Sequence, residues 1–274
     1  MDTQRARKRA FAAVVAAVAI GLFALTVAAG AGASRPAPGP QKKKAKALPD
    51  DKNPQHQYEL GVVALRYGLA DEAVRYGQLA IGLDPAHFDG WNLLGSAYYT
   101  KGEFALAAES YEKAAALRPE AAEVQRNLGL AYLELKEMEK AEAALKKALA
   151  AEGDSESAFQ LGKLCYNAQR FDEALAYTLD AIRRDGKSAK AYNLKGVVLN
   201  QLGRYAEAAG SFQAGLVLAP DDIGLQINLG IAYINSDQPA KAKAVLEVVL
   251  PKITEDPLRA RIEEYLKSIK DAKN

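Results

Sequence analysis

One cysteine, one tryptophan, two histidines and two methionines serve a chain of 274 residues. A single cysteine excludes an intramolecular disulfide and says nothing about redox compartment. Only His56 and His87 are available as imidazole bases or ligands, and neither has a carboxylate or cysteine cluster at metal-ligand spacing. No Ser–His or Cys–His constellation for nucleophilic catalysis is present either. Gly30-Ala31-Gly32 follows no strand, so it is not a phosphate-cradling loop. Strand-like alternation is missing, and the composition is rich in Ala and Leu with 13 Tyr as the main aromatic. These absences predict an all-α chain with no catalytic, cofactor or metal site, and therefore not an enzyme.

Positive charge is scarce on the body of the chain. Residues 1–53 hold ten Lys/Arg against three Asp/Glu, a net of +7. The remaining 26 Lys/Arg and 31 Asp/Glu give residues 54–274 a net of −5. A nucleic-acid-binding surface should carry a basic stripe, so nucleic acid is not an expected partner. Arg5, Arg7, Lys8 and Arg9 precede Phe11–Ala29, a run without a charge. That order is the layout of an export signal or a signal anchor. The run's length suits an anchor of about 20 residues. Ala31-Gly32-Ala33 before Ser34 suits cleavage after Ala33. Both readings stay open for residues 1–33. Either one predicts a cell-envelope protein whose remaining chain lies outside the cytoplasm, in the periplasm, with a membrane contact if the segment is uncleaved. Ser34–Asn53 contains Pro36, Pro38, Pro40, Pro49 and five lysines, and reads as a disordered linker.

The rest is periodic. Trp91, Leu94-Gly95 and Tyr98 share one face of a first short helix, by the i, i+3, i+4, i+7 rule. Gly102 breaks it, Ala107, Tyr111 and Ala114 mark a second helix, and Pro119 ends that one. This W-x2-L-G-x2-Y…A…aromatic…A…P pattern resembles the tetratricopeptide repeat family. It recurs six times, at residues 54–87, 88–121, 122–154, 155–188, 189–222 and 223–256. A final apolar-faced helix over 257–274 reads as a cap for the array. Cys165 and Thr178 stand where the fourth repeat should have large aromatics, and Gly153 and Gly186 stand for the proline at its two ends. A weak joint is expected between the third and fourth repeats. Gly95, Gly129, Gly162, Gly196 and Gly230 are read as close-approach points, faced by Ala107, Ala141, Ala174, Ala208 and Ala242.

The resemblance implies a right-handed helix-turn-helix solenoid whose first helices line a concave groove for a peptide or helix of a protein partner. By register, the groove candidates are Tyr58, Val62 and Leu65; Asn92, Ser96 and Tyr99; and Arg126, Leu130 and Leu133. Phe159, Lys163 and Tyr166; Asn193, Val197 and Asn200; and Ile227, Ile231 and Ile234 continue the series. Some family members grip a C-terminal carboxylate with a basic and asparagine set. Here that frame holds Arg126, Gln160 and Lys190 with Leu130 and Leu194, so the set is broken. The expected function is a non-enzymatic interaction scaffold of the envelope, assisting assembly of an envelope complex. A non-catalytic subunit of an enzyme complex and a self-assembling structural protein are the alternatives. No small-molecule substrate is expected.

Overall fold

A computed structural model describes residues 52–151, 154–254 and 256–271; the apolar leader, most of the linker and Gly153 lie outside them. Every element among the described residues is helical. The helices are α1 (Pro54–Arg66), α2 (Ala70–Leu83), α3 (Phe88–Thr100), α4 (Phe104–Leu117), α5 (Ala122–Glu134) and α6 (Met138–Ala151). They continue as α7 (Ser155–Asn167), α8 (Phe171–Arg184), α9 (Ala189–Gln201), α10 (Tyr205–Leu218), α11 (Ile223–Asn235), α12 (Pro239–Val249) and α13 (Asp256–Asp271). A 3-10 turn, Leu250–Lys252, follows α12. The described residues divide into two compact units, with the boundary in α7 between Leu164 and Cys165.

Apart from α5, which Ala121 precedes without a side-chain cap, the odd-numbered helices of the repeats start on side-chain caps at the repeat spacing. Asn53 Oδ1 accepts from Gln55 N–H at 3.0 Å, and His87 Nδ1 from Gly90 N–H at 2.9 Å. Asp154 Oδ1 accepts from Ser157 N–H at 2.7 Å, Ser188 Oγ from Ala191 N–H at 3.3 Å, and Asp222 Oδ1 from Leu225 N–H at 2.9 Å. Such a cap satisfies one orphan donor of the first turn and is worth about 1 kcal/mol. The same helices end alike. The N–H groups of Leu69, Glu103, Glu137, Arg170, Arg204 and Gln238 bond back five residues, to Ala64, Tyr98, Tyr132, Cys165, Leu199 and Tyr233, at 2.8–2.9 Å. That closure requires a left-handed residue just before the donor. Gly68, Gly102 and Gly203 supply it in three repeats, and Lys136 (φ 61°), Gln169 (φ 59°) and Asp237 (φ 56°) supply it in the others.

In the second, third, fifth and sixth repeats the two helices touch through glycine. A Cβ on Gly95 would stand 2.6 Å from the Tyr111 ring, and one on Gly129 2.7 Å from Leu145 Cγ. At Gly196 it would meet the Phe212 ring at 2.4 Å, and at Gly230 the Leu246 side chain at 2.5 Å. The expected facing alanines are buried too. The side chain that closes on the glycine, however, sits four residues after each alanine, one helical turn on along the same face. Only a hydrogen at the glycine lets that larger group lie flat against the helix.

Between repeats the links are polar. In the 52–164 unit, Gln78 Nε2 donates to Tyr98 Oη at 3.3 Å, and Tyr132 O–H donates to the Glu112 carboxylate. In the 165–271 unit, Gln213 Nε2 donates to Tyr233 Oη at 2.9 Å. Trp91 Nε1–H, Gln125 Nε2 and Gln226 Nε2 donate to the carbonyls of Pro85, Pro119 and Pro220 at 2.9, 3.0 and 2.8 Å. The fourth and fifth repeats carry Cys165 and Leu199 in the tyrosine's place, and neither can make that link. The ends differ as well. Val63 is 47% exposed and Tyr67 78%, whereas the equivalents of Val63 in later repeats, Ala97, Ala131, Val198 and Ala232, are buried. At the other end, Leu258, Ile262, Tyr265 and Leu266 of α13 are buried, while Arg259, Glu263 and Lys267 face solvent.

Candidate partner-binding groove

In the 52–164 unit, α1, α3 and α5 stack in chain order and present their fifth, ninth and twelfth residues along one side. All nine groove candidates on these helices are partly exposed: Tyr58, Val62, Leu65, Asn92, Ser96, Tyr99, Arg126, Leu130 and Leu133. Two further candidates open α7, with Phe159 buried and Lys163 partly exposed. The surface is held from behind. Ser96 Oγ donates to Asn92 C=O at 3.0 Å and lies 3.1 Å from the Tyr111 phenol that donates to it. Tyr99 meets Phe104 edge-on, ring centroids 5.3 Å apart, and Tyr58 lies 6.1 Å from the His87 ring. Arg126 reaches Asp154 at 3.7 Å. Fixing aromatic rings in this way lowers the ordering cost of any segment laid across them.

The 165–271 unit is different. Tyr166, Val197, Ile227, Ile231 and Ile234 are buried, and only Asn193 and Asn200 of this unit's candidates keep partial exposure. Asn193 and Tyr166 are tied into a ladder that spacing alone did not single out. Asn228 Nδ2 donates to Asn193 Oδ1 at 2.9 Å, and Gln201 Nε2 to Tyr166 Oη at 3.4 Å. The signal for it was an amide 35 residues after a groove residue. Tyr166 also packs on Phe171, with centroids 5.8 Å apart.

Electrostatics on the 52–164 face are acidic at the helix starts. Burial raises the Tyr58 phenol above its usual range, and the carboxylates of Asp89, Glu123 and Glu59 raise it further. Tyr99 is raised by burial and then by Glu134. Tyr111, deep behind the groove, is pushed up to about 12 by burial, against the lowering effect of its bond to Ser96.

The remaining reactive side chains are occupied structurally. His87 caps α3, His56 is exposed on α1, and Cys165 is buried with Arg170 Nη2 at 3.0 Å from its Sγ. Among the described residues no three His, Cys, Asp or Glu groups converge as a metal site, and no helix is long and apolar enough to cross a membrane.

A tetratricopeptide repeat profile matches residues 92–156 and 159–223, and a second one matches residues 199–262. The chain belongs to the tetratricopeptide repeat family. Human intraflagellar transport protein 70B is 29% identical over 231 residues, covering 77% of this chain and 32% of that protein. The BBSome complex member BBS4 of Bos taurus is 27% identical over 155 residues, covering 56% of this chain and 30% of the relative. The chain thus spans about a third of the length of these relatives. Among solved structures, PilF of Pseudomonas aeruginosa superposes with a TM-score of 0.68 at 19% identity, over 77% of this chain and 96% of that one. YrrB, a tetratricopeptide repeat protein with an unusual peptide-binding site, superposes with a TM-score of 0.61 at 21% identity, over 69% and 97%. At these identities the structures establish the fold. Tetratricopeptide arrays are protein-interaction scaffolds and generally not catalysts, and this chain is built as one.

Proposed function

We propose that the chain is a non-enzymatic scaffold of the cell envelope, exported so that its repeats lie outside the cytoplasm, holding a segment of a partner protein in its groove during assembly of an envelope complex. The observation that carries the binding half is the row of partly exposed Tyr58, Leu65, Tyr99 and Leu133, braced from behind and not packed away. Aromatic and aliphatic side chains interleaved with Asn92 and Ser96 suit a peptide with alternating apolar side chains and hydrogen-bonding backbone. The observation behind the envelope half is Arg5–Arg9 before the uncharged run Phe11–Ala29. An anchor would concentrate the groove near membrane partners, and a cleaved signal would release it.

Two measurements test the halves separately. A photo-crosslinking residue at Leu133 should capture a discrete partner, while the same residue at Leu117, at the end of α4, should not. Equal capture at both positions removes the groove reading. A reporter active only outside the cytoplasm, fused after Asn274, should be active. Activity of a cytoplasm-only reporter in its place ends the export reading, and the mature N-terminal peptide shows whether cleavage follows Ala33.

A further inference from the structure

We propose that the outer face of α1 binds a second copy of this chain, α1 against α1 and antiparallel, closing a two-fold dimer at the first repeat. The face is a stacking surface on which no further repeat is described. In the next two repeats the third and tenth residues of the first helix are buried: Gly90 and Ala97 in α3, Val124 and Ala131 in α5. In the second repeat they meet the repeat before. A Cβ on Gly90 would stand 3.1 Å from Ile81 Cγ2 and 3.2 Å from Ala80 Cβ of α2, and Ala97 shares a cluster with Ala64 and Ala73. In α1 the same two positions are His56 and Val63, and both are exposed.

The side chains on this face select its occupant. By helical periodicity His56, Glu59, Val63, Arg66 and Tyr67 lie within an arc of about 100°. All five are exposed. Glu59 stands one turn before Val63, and Arg66 about one turn after it. A second α1 turned end over end about Val63 sets Glu59 of each copy opposite Arg66 of the other, with valine on valine between the two pairs. The surface is thus complementary to itself, as a two-fold interface requires. A parallel pair would set glutamate on glutamate and arginine on arginine, which like charge disfavours. An apolar helix laid here would cover both charges unpaired, and a helix of one charge would set one of them against its like. A copy of α1 satisfies both. The groups are available, since Glu59 accepts from Gln55 Nε2 at 3.3 Å and neither Glu59 nor Arg66 is ion-paired among the described residues.

Size sets the strength. One face of a 13-residue helix, about 20 Å long, covers well under the roughly 800 Å² per partner of a standard interface, so the dimer is weak and forms at micromolar concentration. Both copies use the same patch, so the contact closes at two and does not propagate. The groove candidates Tyr58, Val62 and Leu65 lie outside the arc, on the neighbouring side of α1. A dimer built this way keeps both grooves open and offers two of them at once, which raises avidity for a partner that carries two segments.

The test is sedimentation equilibrium of the full chain in a mild nonionic detergent, from about 1 to about 200 μM at about 50 mM salt. The natural chain should pass from monomer to dimer across this range. Glu59→Arg and Arg66→Glu each set like charges opposite one another in both pairs. Each should weaken the dimer at least about tenfold, with an unchanged thermal midpoint because the side chains are exposed. An equimolar mixture of the two variants should dimerise as the natural chain does, since each then faces the opposite charge. Val63→Cys, at the axis, should form a disulfide-linked dimer under mild oxidation, and Val217→Cys, on exposed Val217 of α10, should not. A natural chain that stays monomeric across the range overturns the proposal. A dimer that both single variants retain overturns it too, because the contact then lies elsewhere. A mixture that stays monomeric refutes the antiparallel pairing of Glu59 with Arg66, and the proposal with it.

Discussion

Lys136→Gly and Gln169→Gly should each stabilise the array. The reason is the backbone of the turn inside each repeat. All six such turns place one residue at φ between 56° and 77°, and glycine occupies only three of them. For an L-residue with a Cβ that conformation costs roughly 1–2 kcal/mol. Replacing it with glycine recovers this strain, but the unfolded chain gains freedom worth roughly 0.5–1 kcal/mol. The difference is a gain of about 0.5–1 kcal/mol per site. Both side chains are exposed and make no hydrogen bond or ion pair to a described residue, so nothing else is lost. The two turns lie in different repeats and should add, raising the melting midpoint by roughly 2–4 °C for each kcal/mol in a chain of this size. Asp237→Gly should gain less, because aspartate tolerates the left-handed region better than lysine or glutamine does. The mirror experiment is Gly102→Ala, where the Cβ would meet open space and only backbone strain is added; it should cost about 1 kcal/mol. Urea unfolding followed by circular dichroism reads all four variants. A neutral Gly102→Ala together with a destabilising Lys136→Gly would show that these turns do not need the left-handed residue, and the reasoning would fail.

Three further outcomes are expected. Gly129→Leu, whose Cβ alone would stand 2.7 Å from Leu145 Cγ, should cost about 1–3 kcal/mol or more in a urea melt, while exposed Lys147→Gln should stay within about 0.5 kcal/mol; equal effects would refute the helix contact assigned to that glycine. Tyr111 holds its proton up to about 12 when folded against about 10 unfolded, so its contribution is complete below pH 10 and is lost as pH rises from 10 towards 12. Tyr111→Phe should flatten the fall in stability over that window, and an unchanged alkaline limb would show that the phenol does not drive it. Amide exchange in α8, where Thr178 donates to Ala174 C=O at 2.6 Å in place of an aromatic contact, should be faster than in α4, whose Tyr111 closes on Gly95; uniform protection of the two helices would dispose of the weak fourth repeat.

The repeat frame is legible in the chain because its cause is local and recurs. Tyr98, Gly102, Ala107 and Pro119 each perform one step of a helix-turn-helix unit, and copies at Tyr132, Ala141, Tyr233 and Ala242 repeat those steps. What is not legible is whatever departs from the copy. Lys136, Gln169 and Asp237 carry no mark of a left-handed turn. Only the bond that closes each first helix, identical in all six repeats, obliges them to adopt it. The glycine contacts show a different limit. Register put the small residue on the right face but paired it with the facing alanine, because two small residues suggest close approach. The glycine's real partner is larger, Tyr111 or Phe212, whose flat ring needs the missing Cβ.

The groove is intermediate between these cases. Periodicity can say that Tyr58, Asn92 and Ile227 occupy equivalent positions, since equivalence is a property of spacing. It cannot say that Ile227 is buried while Tyr58 stays partly open, because burial depends on which element packs alongside. α13, with buried Leu258 and Ile262, packs on α12 and the turn after it. At the first repeat Val63 keeps the exposure that its later equivalents lose. Identical register thus coexists with different burial, and the partly exposed apolar candidates lie in the first three repeats. Asn92 obeys the same logic. Asparagine at that position also occurs at Asn193, where Asn228 satisfies its Oδ1 from the next repeat. At Asn92 the oxygen has no such donor. Two residues alike in register thus differ in what they still require, a difference that spacing alone does not show.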